Sequence, residues 1–439
     1  MTQFRTDKSE FLNHNRSIYE VVMVADQYGN MSSSGNPNGM AVDAFGRARI
    51  STPLTLFDSS HRYNDNGLWS YSNTAGTTVA FNANAGLIEM TLPTTSGAEI
   101  IRETTKVFSY QPGKSLQTLN TFCFNPAKAN LRQRVGYFGA DNGIFLELDG
   151  STLYFVERSK VTGSVTETKV AQQDWNIDTL LGSELSSPSH MTLDITKAQI
   201  LFSDIEWLGI GTVRVGFVID GRFIHCHSFH HANFIDSTYI TTASLPLRYE
   251  IKNNGGATSS SSTMKQVCSS VISEGGYDLY GAQRAIVTPI NLPIDLGTSG
   301  TIAPVISIRL KTSPNRLDAI VILTAISIMG VTNNCNYNWQ VVSSGTTSGG
   351  TWTSLADDSS VEYNITGSSF TGGRILASGF LSGSAQGTQS VDILKESLFK
   401  FQLERNSLTS TPFELTLVAS ASLSGGDILA AMDFEEISR

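Results

Sequence analysis

Two Asp-Gly dipeptides, Asp149-Gly150 and Asp220-Gly221, each stand between short runs rich in alternating apolar residues. A tight two-residue turn with positive φ at its centre accepts Asp followed by Gly at little steric cost, so each dipeptide predicts a β-hairpin. The flanking strands are Ile144–Leu148 and Ser151–Arg158 for the first, Val213–Ile219 and Arg222–Ser228 for the second. Two such hairpins between Thr105 and Tyr280 predict an antiparallel sandwich or jelly roll rather than a helical or parallel α/β fold.

Beyond Ala285, runs such as Val305–Leu310, Trp339–Val342, Val361–Ile365, Arg374–Phe380 and Glu414–Ala419 recur between Gly/Ser/Thr/Asn turns, which predicts a second sandwich. Only Asp427–Met432 carries even a short helical stripe. The chain is therefore read as all-β: two β-sandwich/jelly-roll domains preceded by an extended N-terminal arm. The boundaries are 1–50 for a docking arm, 51–104 for a linker or strap with short strands, 105–284 for the jelly roll, and 285–439 for the C-terminal sandwich. The arm is assigned from the Gly/Asn/Ser/Pro cluster of Gln27–Gly39, which has no apolar period.

With 39 Asp+Glu against 30 Lys+Arg the net charge is -9, and no basic run exists to hold a phosphate backbone, so no nucleic-acid partner is expected. The most apolar stretch, Leu317–Val331, contains Asp318 and is shorter than the ~20 residues of a membrane helix, so no membrane insertion is expected. The first residues lack the apolar core of a secretory signal, and a soluble chain is expected. Cys123, Cys226, Cys268 and Cys335 are too scattered for a disulfide framework and are read as free thiols.

The segments GKSLQTLNTF, LRQRVGYFGADNGIFLELDG and WLGIGTVRVGFVIDG, and later WQVV, GGTWTSL, SVEYN and GGRILASGF, resemble a large group of virion proteins of marine tailed phages. The resemblance runs from about Lys106 to Ser438. It implies a structural, fibre-like component of the particle with a jelly-roll middle domain. The expectation that follows is a tail fibre or tail-associated appendage on the particle exterior, assembled in the host cytoplasm. A head fibre or capsid-decorating protein is the alternative. Its partners would be other virion proteins and copies of itself, a trimer being favoured, with a host-surface glycan as a further candidate.

For chemistry, four of the seven histidines fall between His225 and His231. Pairing outward from the Asp220-Gly221 turn places Gly216 opposite His225 and Arg214 opposite His227, so Arg214, Phe223, His225 and His227 are read as one face suited to a subunit contact. A guanidinium on that face disfavours a metal cation, so no metal is expected. Asp204 and Glu206 alternate on one strand as carboxylates do in sandwich glucanases. Phe202 stands where a third carboxylate would be, so the pair is read as solvated, and no catalytic residue is assigned. No P-loop, GxGxxG or GxSxG occurs, and no cofactor is expected. Trp339, Trp352 and Tyr363 are the candidate glycan contacts, as aromatics on loops of the C-terminal domain. A free lectin or a glycoside hydrolase is the reading from outside the virion class.

Overall fold

A computed structural model describes residues 52–183, 185–383, 389–392 and 399–438. The arm expected over 1–50 lies outside them.

The Asp220-Gly221 hairpin forms as its sequence demands: Ile219 pairs with Arg222, and the two turn residues take φ of 50° and 72°. The other turn is displaced by one residue. Asp149 itself pairs with Thr152, leaving Gly150 (φ 59°) and Ser151 in the loop, so only the leading Gly needs the left-handed conformation.

Every strand pair among the described residues is antiparallel. An eight-stranded sheet runs in the order Arg222–Phe229, Val213–Ile219, Gln199–Ile205, Leu116–Cys123, Ser262–Ser273, Leu87–Leu92, Thr78–Asn82, with Leu54–Ser60 also paired to Ser262–Ser273. Against it packs a seven-stranded sheet in the order Thr166–Ala171, Thr152–Ser159, Gly143–Asp149, Leu131–Phe138, Leu247–Asn253, Glu99–Thr104, Trp69–Asn73. Strand Leu116–Cys123 shows why they close on one another: Leu116, Thr118, Asn120 and Phe122 are buried and the residues between them are not, the period of two that gives a strand one core face.

Residues 51–104 are not a linker. They contribute strands to both sheets, and Phe57, Trp69, Ile88, Met90, Leu92 and Ile100 sit in the same core as Phe155 and Phe217. The boundary between the sandwiches also falls earlier than residue 284. Strand Ser262–Ser273 closes the first, and Ala282–Val287 already pairs with Asp427–Ser438 of the second.

The C-terminal sandwich stacks a five-stranded sheet containing Ala282–Val287, Asp427–Ser438 and Ile320–Gly330 on a six-stranded sheet containing Ala303–Leu310, Glu414–Ala421, Asn336–Ser348 and Ser369–Ser382. Asp427–Met432 is extended, with Ile428, Ala430, Met432 and Phe434 turned inward; the apolar spacing that suggested a helical stripe is the alternation of a buried strand.

The two sandwiches meet across a buried polar seam. Arg405, 1% exposed, donates to the Thr104 carbonyl at 2.5 Å and to Asp318 at 3.0 Å, and lies 3.5 Å from Glu103. Glu103, 0% exposed, also accepts from Arg248 at 2.8 Å and from the Ser407 hydroxyl. Lys106 donates to the Phe399 carbonyl at 2.8 Å, Gln402 to the Val107 carbonyl at 2.9 Å, and Val107, Ile320 and Ile322 form a small apolar cluster beside them. Arg248 belongs to the outer face of the seven-stranded sheet, where Arg132, Arg134, Arg158 and Lys169 interleave with Glu147, Glu167 and Glu250. Much of the chain's sparse charge is thus spent inside the fold.

Candidate binding site

The outer face of the eight-stranded sheet carries a polar row assembled from four distant segments. On strand Gln199–Ile205, Leu201, Ser203 and Ile205 turn into the sandwich, which sends Phe202 and Asp204 outward. Arg214 lies directly across from Asp204 and donates to one carboxylate oxygen, while the Ser115 hydroxyl donates to the other. The Ser115 carbonyl in turn accepts from the Glu274 amide at 2.8 Å, and Lys114 is bound to Asp278 at 2.9 Å. Burial and the neighbouring Asp204 charge both push the Glu274 carboxyl up, partly offset by Arg214.

This row floors a cleft of about 470 Å³ walled by Tyr110, Ser115, Asp204, Glu206, Leu208 and Arg214. Tyr110 is 5% exposed and belongs to the sandwich core, with its hydroxyl against the backbone of Gly113 and Trp207. Trp207 packs edge-on to it at 6.3 Å, with its indole N–H buried. Glu206 lies past the end of the strand and is exposed, whereas Asp204 is buried; the two carboxylates are not an equivalent solvated pair.

The lip of the cleft is a tight turn in which Gly211 N–H bonds the Trp207 carbonyl at 2.7 Å. His231 pins it. Its Nδ1 lies 2.6 Å from the Gly211 carbonyl, its Nε2 lies 2.7 Å from Glu157, and its ring stacks on Tyr239 at 3.9 Å. Burial opposes the imidazolium, but the Glu157 carboxylate and the carbonyl outweigh it, and the His231 pKa is raised. A His whose pKa is higher folded than unfolded stabilises fully below the unfolded value and loses that contribution as pH rises through the folded one. His231→Gln is therefore expected to lower the melting temperature more at about pH 6 than at about pH 9; calorimetry at the two pH values checks this, and equal losses would remove the charged pair from the account.

The face predicted from the hairpin register forms only in part. Gly216 does pair with His225, but a bulge follows, so Val215 pairs with His227 and Arg214 with Ser228 rather than with His227. The cause lies at Gly216, where a Cβ would collide with the Ile224 carbonyl and lie 2.8 Å from the Phe202 ring; the tight approach is accommodated by an extra residue on the facing strand. Phe223 stays exposed and meets Phe202 edge-on at 5.1 Å, and His225 Nε2 lies 2.9 Å from the Ser228 hydroxyl. His227 leaves that face: it is buried against Phe229 at 4.7 Å and accepts from the Asn176 amide at 3.2 Å. Burial pulls both His225 and His227 down to about 4, so these rings are neutral near pH 7.

The three C-terminal aromatics are not brought together as one exposed loop surface. Trp339 is 3% exposed within strand Asn336–Ser348, its ring packed against Gly379, and so it is a core residue rather than a loop one. Tyr363 lies in strand Val361–Asn364 and packs against the same core. Trp352 is on a loop and half-buried, with the Arg309 guanidinium 3.9 Å over one face of its ring. Among the described residues no group of three or more His, Cys, Asp and Glu is placed to hold a metal. No helix among them is long and apolar enough to cross a membrane.

Sequence reasoning missed Tyr110, Ser115, Glu274 and His231. Ser115 and Asp204 are 89 residues apart in the chain, and only the strand order brings them together.

No protein-family model matches the chain, and no curated protein sequence matches it. Among solved structures it is similar to a Bacillus licheniformis β-glucanase at 11% identity, covering 50% of this chain and 97% of that one with a TM-score of 0.34. It is similar to the Emp47p carbohydrate recognition domain at 9% identity, over 53% and 99% of the two chains, TM-score 0.32. A protein of unknown function from Shewanella oneidensis MR-1, SO2946, gives 11% identity over 52% and 90%, TM-score 0.33. Likeness at this level says nothing about activity.

Proposed function

We propose that this chain is a structural component of a tailed-phage particle, a tail fibre or tail-associated appendage standing on the particle exterior, with a head fibre or capsid-decorating protein as the alternative. The observation that carries the proposal from the structural side is the buried seam around Glu103 and Arg405, which joins the two sandwiches into one body. A stiff body of this kind suits a part that transmits position and load. The segments that resemble those of marine phage virion proteins supply the particle context. Association with neighbouring virion proteins or with copies of itself, a trimer being favoured, is supported by apolar side chains left in solvent along the C-terminal sandwich, with Ile290 82%, Leu292 67% and Val287 63% exposed.

A binding role rather than catalysis is part of the proposal. Both oxygens of Asp204 are engaged by Arg214 and Ser115, which leaves that carboxylate poorly placed to attack a sugar. Peptide mass spectrometry of purified particles, followed by cryo-EM to place the chain, tests the assignment: the chain is expected in stoichiometric amount, and its absence from intact particles would overturn it. Release of reducing sugar from a β-glucan by the purified protein would overturn the non-catalytic reading.

A further inference from the structure

We propose that the apolar groove on the outer face of the C-terminal five-stranded sheet is the seat for the Ile290–Leu292 turn of a second copy of this chain. The inference rests on the self-association in the proposed function and names the surface that carries it.

The groove follows from strand register. Val287 pairs with Ala431 and Ala431 with Ser327, which sets the three in one row across the sheet, and Leu429 and Met329 form the next row. Ile428, Ala430 and Met432 alternate with them and turn inward, so this set faces outward. Together they line a groove of about 460 Å³ in which, among the described residues, no side chain is charged. Asp427 and Asp433, the next charges in the same alternation, stand at its two ends.

The turn rises from one wall of this groove and is held in place. The Leu292 amide donates to the Pro289 carbonyl at 3.0 Å, and Pro293 follows. Before it, the Thr288 hydroxyl accepts from the Ala430 amide at 2.9 Å; after it, Ile294 pairs with Ile428. Turns ordinarily carry polar residues, yet here Ile290 is 82% exposed and Leu292 67%. A turn anchored on both sides has little conformational freedom left to lose when it docks.

A groove and a projecting turn on one patch are self-complementary. A rotation axis close beside them carries each copy's Ile290 into a neighbour's groove, so the same patch serves both sides of the contact. Charge favours the same face. Each chain carries a net -9, so copies repel over much of their surface, and this uncharged groove is a place where they can meet. Three strands about 4.8 Å apart, over about five residues at about 3.4 Å each, present roughly 250 Å² of the face. The turn brings it toward the few hundred Å² of a functional apolar patch, against about 800 Å² per partner in a stable complex. The apolar centre is therefore small, and association in the micromolar range is expected.

Light scattering on the full chain between about 1 and about 100 µM tests this, and a mass rising from one chain to two or more is expected. Added salt should strengthen the association, because Asp427 and Asp433 of neighbouring copies repel one another. Ile290→Asp should weaken it at least about tenfold while leaving the melting temperature unchanged, since that side chain is exposed. An Ile290→Cys chain mixed with a Ser327→Cys chain should form a disulfide under mild oxidation that neither forms with the parent. A single-chain mass at about 100 µM would overturn the proposal and assign the groove to a different virion protein. So would association that salt weakens, association indifferent to Ile290→Asp, or no cross-link between the two cysteine variants. Particles lacking this chain would overturn the particle assignment and leave this contact standing, so the two failures are told apart.

Discussion

Glu103→Gln is expected to destabilise the protein by about 3–5 kcal/mol, the cost of removing one partner from a buried ion network. The side chain is 0% exposed and receives Arg248, Arg405 and Ser407 together, while those two guanidinium groups are themselves 5% and 1% exposed. The amide keeps the volume but brings an NH2 group against two buried cations that water cannot reach. Denaturant unfolding followed by circular dichroism reads the loss, and a change under ~1 kcal/mol would show that the seam is held by its apolar contacts instead. Glu362→Gln is the internal comparison. Its partner Arg309 is bound at 2.6 Å, but the two side chains are 20% and 27% exposed, so a loss within about 1 kcal/mol is expected there.

The same network makes the protein acid-sensitive. Burial alone would raise the carboxyls of Glu250 and Glu167, but the surrounding arginines prevail, chiefly Arg134, and both pKa values are lowered. Carboxylates with lowered folded values stabilise above the ordinary value near 4.5 and lose that contribution as pH falls below it through the folded pKa. The buried His225 and His227 work in the same direction, since rings held at about 4 when folded take up protons more readily when unfolded.

The legible part of the fold was what short-range chemistry decides. Asp-Gly with alternating flanks marked both hairpins, and even the one-residue shift at Gly150 keeps the same faces, because Leu148 still alternates with its neighbours across the turn. The illegible part depends on residues far apart. Nothing near Leu54 or Leu87 announces that Ser262–Ser273 will receive both strands, so residues 51–104 read as a strap. The bulge beside Gly216 could not be counted from the turn outward, because its cause is the approach of Phe202 and Ile224 on neighbouring strands. The cleft failed to show for a related reason. Asp204 and Glu206 were visible, but their neighbours Ser115 and Glu274 lie just beyond the ends of other strands, and a sequence pattern searched along one strand finds only Phe202 where a third carboxylate was sought. Charged residues make up only 16% of the sequence, and the arginines and glutamates on the outer face of the seven-stranded sheet are themselves largely buried against one another.

Phe155→Ala is the second substitution expected to cost about 3–5 kcal/mol, here through a cavity rather than through charge. Phe155 is 0% exposed and lies 4.3 Å from Trp175 and 6.1 Å from Phe217, which joins the two sheets one strand in from the edge of each. Trp175 is carried by the segment after Thr166–Ala171, a region with little regular structure that depends on this ring contact, on its indole bond to the Val170 carbonyl and on amides bonded to the Cys226 carbonyl. Truncating Phe155 therefore removes apolar contacts and also loosens the loop that covers one end of the core. Chemical denaturation should report the full loss, and hydrogen exchange should show the amides of Ile177 and Asp178 exposed first, since both are bonded to Cys226 rather than to a strand ladder. A loss below ~1.5 kcal/mol would mean that the site collapses around the missing ring.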